Sequence, residues 1–409
     1  MSRYTSLAVI LLGAVALVLP YGYVIAPTLL ALGSVVLLLR CPRLEFGYRE
    51  WTIVGVLLLY GLVRLSEIWR SGSSLTEMTG TIYVFLAVPG LLLLLAFPPK
   101  AASIWVGAAI GSILTASWAS WQTLVAGRSR ADGFGTVDAI QFGNLSLLLG
   151  FFCLAGLGWV LGNHWRSGKK AGCALLLLGA LCGVLGSFLS GSRGGWLSFP
   201  LMLGVLYLGY GRHLSRRWLI GFAAFFLIAP MVVYATPQLG VQERVQRIFS
   251  SYQEFAEEGD PTNSVGARLE MWRGASILIP ERPLVGWGKT GYMQARDILI
   301  EEGTIHPYLE NFDHVHNDVL DAWLKRGLLG LITLLALYLV PLCLFARHLR
   351  SQDIQLRALA IAGTALPIAY IGFGLTQTFL VFDSGVIMYI FWWMVIWVAL
   401  CQRKRLSIY

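Results

Sequence analysis

Charge is what this chain most lacks. Only 13% of its 409 residues are Asp, Glu, Lys or Arg, and 56% are hydrophobic. Soluble domains hold about 25% charged residues, so a water-soluble globule is excluded. The mean hydropathy of +0.68 says the same. Cysteine is scarce too. Cys41, Cys153, Cys173, Cys182, Cys343 and Cys401 all lie in apolar runs or in short basic loops, so no disulfide framework is implied. There is no Asp-x-Asp pair to hold a divalent cation against a nucleotide-sugar, no convincing internal repeat and no low-complexity stretch. The cores of the apolar runs read as free of Asp, Glu, Lys, Arg and His. Ion-coupled pumps keep such residues inside the bilayer because they carry the ion, so this absence argues against a transporter.

What is there is a series of oily segments. A membrane helix needs about 20 apolar residues to cross the hydrocarbon. Twelve segments qualify, at 5–20, 23–39, 51–66, 79–97, 101–126, 142–162, 171–190, 195–211, 218–235, 327–346, 357–380 and 385–402. The first has some signal-peptide character, but a second span follows at once, so it is expected to stay uncleaved. The expected fold is therefore all-α and polytopic. Of the 31 Lys and Arg residues, 17 fall on one side, opposed only by Glu45, Glu50 and Asp353; the other side holds 14 basic and 19 acidic residues. The positive-inside rule then puts both termini in the cytoplasm. The basic balance reports topology, and no nucleic-acid partner is needed to explain it.

Short loops join nearly all spans. The exception is 236–326, between the ninth and tenth, which is too long for a connector and reads as a site-bearing outer domain. The division is 1–235, 236–326 and 327–409. In "VQERVQRIFSSYQEF", Val241, Val245, Ile248 and Tyr252 keep a helical stripe. A second helix is expected from Ser264 to Leu278, before Pro280, and a third near 290–302.

Titratable groups gather where that domain ends, in "NFDHVHNDVLDAWLKRG", Asn311 to Gly327. His164, His213 and His348 sit in basic loops, whereas His306, His314 and His316 lie close together outside. A neutral imidazole titrates near working pH and suits a general base. The plain alternative is a solvated helix start, and His-x-His beside Asp313 could also supply metal ligands. Two arginines stand out. Arg193, in "LSGSRGGWLS", is pinned at the membrane boundary beside a helix start, where backbone N–H groups favour an anion; the plain reading is a lipid headgroup contact. Arg268, in "SVGARLEMWRG", shares a helix face with Trp272; the plain reading is a surface ion pair. A guanidinium in either place is a phosphate cradle.

"HNDVLDAWLKRGLLG" fits the pattern His, Asn/Ser/Gln, nine residues, Gly, two residues, Gly, filled by His316, Asn317, Gly327 and Gly330. This resembles the O-antigen ligase and polymerase family of bacterial membrane glycosyltransferases. "SGSRGG" is similar to the family's Arg-bearing turn, "ARLEMWRGASILIPERPLVGWGKTGY" to its Arg…Trp…Pro-x-x-Gly-x-Gly stretch, and "GRSRADGFGTVDAIQFGN" more loosely to its Gly-rich outer loop. The resemblance implies about 12 transmembrane helices with one large periplasmic loop domain, a GT-C-like glycosyltransferase architecture, in a Gram-negative inner membrane. It implies transfer of an O-antigen glycan from undecaprenyl pyrophosphate to a hydroxyl of lipid A–core, with the spacing favouring ligase over polymerase. His316 would be the base, and Arg193 and Arg268 would hold the pyrophosphate. His314, Asn317, Gly327, Gly330, Arg128 and Arg130 would support them. Neither metal nor cofactor is expected, because a pyrophosphate already leaves as an anion and needs positive charge rather than a general acid. A protein O-oligosaccharyltransferase is a further variant, and a lipid-linked oligosaccharide flippase is the rival of another class.

Overall fold

The computed structural model describes residues 1–40, 42, 46–72, 78–162, 168–192, 194–211, 250, 257 and 261–406. Thirteen helices of ten or more residues run in order through them: α1 (Ser2–Ala14), α2 (Gly22–Arg40), α3 (Tyr48–Ser71), α4 (Thr79–Ala96), α5 (Ala102–Ser120), α6 (Ala139–Leu161), α7 (Lys169–Leu189), α8 (Gly194–Tyr210), α9 (Ser264–Leu278), α10 (Gly288–Glu301), α11 (Asp318–Ala346), α12 (Ile354–Gly374) and α13 (Asp383–Leu406). Among the described residues the one β feature is an isolated bridge between Gly133 and Val137. The protein is an all-α, multi-pass membrane protein.

Nine of these helices are long and apolar enough to cross a membrane. The first expected span is the 13-residue α1, which ends at Ala14 and runs into turns. The eighth, α8, has 17 residues and is shorter than a full span. The ninth expected span, the stripe from Val241 to Tyr252, Arg193, His164 and His213 lie outside the described residues. The expectation of charge-free span cores needs one correction. Arg64 stands in α3 and is 7% exposed. It is tolerable there because its guanidinium donates to Leu380 O (2.6 Å) and Thr81 Oγ1 (3.1 Å), which restores the hydrogen bonds that burial removes.

Burial ranks the helices. Within the hydrophobic window of α13, 94% of residues are buried, and 89% of that of α12, against 33% for α2 and α7. So α12 and α13 form the centre, and α2 and α7 lie at the rim. On α7, Leu177, Leu178, Leu181 and Leu185 are exposed, which suits contact with lipid tails. Its opposite face meets α6 so closely that a Cβ on Gly183 would lie 2.5 Å from Gly150 Cα, the small-residue contact that lets membrane helices approach.

The polar segment before α11 has a separate core. Met271, Ala275 and Leu278 of α9, Tyr292, Ala295 and Leu299 of α10, and Leu309, Val315 and Leu324 are buried together. This small helical unit is tied to α3. Lys289 N donates to Ser71 Oγ (2.9 Å), Thr290 Oγ1 to Ser71 O (2.7 Å) and Arg70 to Val285 O (3.1 Å).

The helix expected at 327–346 begins earlier, at Asp318, and breaks at Gly327, where φ is 65° and ψ −160°. The break exchanges hydrogen bonds with the turn before α10. Leu328 N, deprived of Leu324 O, donates to Pro283 O (2.8 Å), and Leu324 O accepts from Trp287 N (2.9 Å). Backbone comes so close that a Cβ on Gly327 would lie 2.2 Å from Leu284 O. Both the positive φ and this approach require glycine.

Candidate functional site

The many polar groups before α11 mostly hold one short segment in place. Asn317 caps the helix: its Oδ1 accepts from Val319 N (3.0 Å) and Leu320 N (3.1 Å), as a good N-cap side chain does. Asp318 accepts from Leu380 N (3.1 Å) and from the Tyr338 hydroxyl (2.9 Å). Asp321 accepts from Lys325 Nζ (2.8 Å), and Lys325 also donates to Asp313 O (2.8 Å). From α9, Trp272 Nε1 donates to Val315 O (3.0 Å). Residues 313–317 are thus pinned from α9 and α11.

Pinning leaves His316 with φ of 51°, in the left-handed region that non-glycine residues enter at a cost. Its Nδ1 meets Gln377 Oε1 in the loop between α12 and α13. With Gln377 Oε1 as acceptor, Nδ1 carries the proton and Nε2 keeps a lone pair. The ring lies edge-on to His314, with centroids 4.3 Å apart, and to Phe312 at 5.7 Å. Burial, then the neighbouring His314 and Arg268, push the His316 pKa down to about 4, against the opposing bond from Gln377. It is therefore neutral at pH 7. Burial also lowers His314, against the pull of Asp321; its Nδ1 has no hydrogen-bond partner among the described residues. Burial would raise Asp313, but the bond and charge of Lys289 (3.0 Å) hold it below the usual carboxylate range.

Arg268 is half-buried on α9. Its Nε donates to Thr376 O (3.0 Å) and its Nη1 to Ser264 O (2.9 Å). Thr376 adjoins Gln377, so one loop contacts both Arg268 and His316. The flanks of Arg193 are described. Ser192 Oγ donates to Asn144 Oδ1 (3.0 Å), and a Cβ on Gly194 would meet Thr376 Oγ1 at 2.6 Å. Arg128 is exposed and paired with Asp132 (3.0 Å), and Arg130 donates to Ser190 O (2.9 Å). Asp138, the N-cap of α6, feels Arg130 and His314, yet burial raises its pKa. Gly330 follows the break in α11 and faces Arg326 Cβ and Ala322 O across it. His306 caps the short 3₁₀ turn Pro307–Asn311. Among the described residues, no group of three or more His, Cys, Asp or Glu is placed to hold a metal ion.

Beside His314 opens a cavity of about 300 Å³, lined by Arg64, Glu67, Ile68, Lys289, Asp313, His314, Lys325, Arg326, Val381, Phe382 and Asp383. Sequence reasoning missed most of this wall, and it missed Gln377. Signals existed. "RLSE" places Arg64 and Glu67 one turn apart at the end of an oily helix, and "LTQTF" puts three polar residues between two apolar ones.

Residues 178–335 match the O-antigen ligase family. The match runs from α7 through the break in α11, so it takes in Arg193, Arg268, His314, His316, Asn317, Gly327 and Gly330, but not Gln377 or Arg64. It supports a function of the O-antigen ligase type in general terms. A Haemophilus influenzae protein described as uncharacterized is 27% identical over 375 residues, which cover 91% of this chain and 92% of that one.

Proposed function

We propose that the protein is an O-antigen ligase. It moves a glycan from undecaprenyl pyrophosphate to a hydroxyl of lipid A–core, at the periplasmic face of a Gram-negative inner membrane. The observation that carries this reading is His316: half-buried, neutral, held at positive φ with Nδ1 engaged, and facing the same loop as Arg268. The acceptor hydroxyl attacks the anomeric carbon. Its proton goes to His316 Nε2, the carbon–oxygen bond to pyrophosphate breaks, and the electron pair leaves with the pyrophosphate. Direct displacement inverts the anomeric carbon. A pKa near 4 makes His316 a modest base, so it takes the proton as the new bond forms and the attacking oxygen becomes strongly acidic. Arg268, with Arg193, the residue before Gly194 in the sequence, meets the charge growing on the leaving oxygen. No carboxylate pair is needed, unlike in a glycosidase.

Replacing His316 by Ala is expected to reduce glycan transfer by roughly 10²-fold or more, the scale of a lost general base. Arg268→Ala is expected to weaken donor binding and turnover together. Full transfer by His316→Ala protein, assayed with purified donor and acceptor, rejects the base assignment. In cells, deletion is expected to leave lipopolysaccharide without O-antigen while polymerised lipid-linked glycan accumulates. A single-repeat ladder would instead mean a polymerase.

A further inference from the structure

We propose that the cavity beside His314 is the subsite for an uncharged, polyhydroxylated sugar ring of the acceptor. This rests on the ligase reading above. At about 300 Å³ the cavity lies at the small end of ligand sites, which run from about 300 to 1,000 Å³. It has room for one ring and not for an oligosaccharide.

The wall decides the chemistry. Arg64, Lys289, Lys325 and Arg326 face Glu67, Asp313 and Asp383. A phosphate would meet three carboxylates, and a cation would meet four basic groups. Most of these charges are already matched inside the protein. Lys289 holds Asp313 at 3.0 Å, Lys325 holds Asp321 at 2.8 Å, and Asp383 accepts from Gly80 N at 2.8 Å.

Arg326 differs. It is 7% exposed, its Nε has no hydrogen-bond partner among the described residues, and its ion-pair oxygen on Glu67 stands 3.7 Å away. A buried guanidinium without hydrogen bonds is costly. A hydroxyl seated between the two accepts from Arg326 and donates to Glu67, which neither a fully ionised phosphate nor an ammonium can do. Phe382, edge-on to His314 at 5.8 Å, adds an apolar ring face for the C–H side of a sugar.

Position assigns the ring to the acceptor. The cavity reaches the histidine pair through His314 and includes none of Arg268, Thr376 or Gln377. The leaving group and the attacking hydroxyl must approach the anomeric carbon from opposite sides, and the two compartments meet at the histidines.

The test uses the full chain in lipid nanodiscs, with lipid-free, dephosphorylated core oligosaccharide and inorganic pyrophosphate as separate probes. Glu67→Gln is expected to weaken oligosaccharide binding and raise the acceptor KM by about tenfold, as loss of a hydrogen bond to a charged group does. Donor KM and pyrophosphate binding are expected to stay unchanged. Oligosaccharide binding equal to wild type in Glu67→Gln overturns the subsite and leaves a water-filled cavity. A shift confined to pyrophosphate or donor KM overturns it in favour of an anion site. If the wild-type chain transfers no glycan, the ligase reading fails, while oligosaccharide binding and its loss in Glu67→Gln still decide the subsite.

Discussion

The two ends of the helix bundle handle charge in opposite ways. At the end that holds Glu50 and Asp353, polar groups are closed into local bonds. Glu50 accepts from Trp397 Nε1 (3.1 Å) and from Gly47 N (3.0 Å). Asp353 caps α12 and binds Arg403 at 2.6 Å. Arg357 donates to Ser351 O (2.9 Å) and Gly209 O (3.2 Å). The histidine end keeps His316 at positive φ, a broken helix at Gly327, and buried polar atoms without partners on His314, Asp321, Arg326, Asp138 and Asn144. Among the described residues, the closed end has one such atom in its loops, His348 Nε2. Strain and unmet hydrogen bonds persist only where surrounding structure enforces them, and they collect where ligands are handled. The difference separates an end that secures the bundle from an end left incomplete.

The comparison breaks most readily at Gly327. A Val there must adopt φ of 65° and place Cβ on Leu284 O. Gly327→Val is expected to cost about 3 kcal/mol or more, to displace the 283–287 turn and to abolish transfer. Thermal unfolding of the purified chain checks it. Gly55→Ala, in α3 with nothing within 4 Å of the added Cβ, is the matched control and should leave Tm nearly unchanged. Equal losses in both would mean that Gly327 has no special place.

The next effect in size is at Gln377. Gln377→Leu removes the bond that raises the His316 pKa and orients its ring. Turnover is expected to fall about tenfold with little change in either KM, in the lower range of what positioning of a base contributes. The acid limb of the wild-type rate profile should fall near pH 4, and in Gln377→Leu lower still. In Gln377→Glu the added carboxylate favours imidazolium and moves the limb up. Stability follows the same sign. With the folded pKa near 4 and the unfolded one near 6.5, the unfolded chain binds the extra proton in that window, so His316 makes stability rise with pH from about 4 to 6.5. An acid limb at 6.5 in wild type would show that His316 is not desolvated as the geometry requires.

The legible part of the fold was that set by local chemistry. The α9 helix runs from Ser264 to Leu278 as its residues dictate, capped by Asn263 and ending before Pro280. Of the twelve spans hydropathy placed, nine are helices long and apolar enough to cross a membrane among the described residues, because length and apolarity decide them. The motif pointed to His316 because its residues are contiguous. The cavity was not legible, since α3, α10, α11 and α13 bring Glu67, Lys289, Arg326 and Asp383 together from across the chain. Nor was the partner of His316, 61 residues away in Gln377. The Lys325-Arg326 pair was visible, but sequence alone could not show that one member is paired twice and the other is held off its carboxylate.

The smallest expected effect is the sharpest control on the comparison, because it sets two arginine–carboxylate pairs against each other. Arg403–Asp353 is short, at 2.6 Å, with side chains 35% and 18% exposed; Arg326–Glu67 is long, at 3.7 Å, at 7% and 14%. Distance alone ranks the first as the stronger. Solvent reverses its importance, since water and salt screen a part-exposed pair and solvate either partner when the other is removed. Asp353 would keep its bonds from Gln355 N and Leu356 N. Arg403→Gln is therefore expected to cost about 0.5 kcal/mol, less at high salt, and to leave glycan transfer unchanged. A loss of transfer on Arg403→Gln, measured at equal amounts of folded protein, would mean that the closed end takes part in the reaction after all.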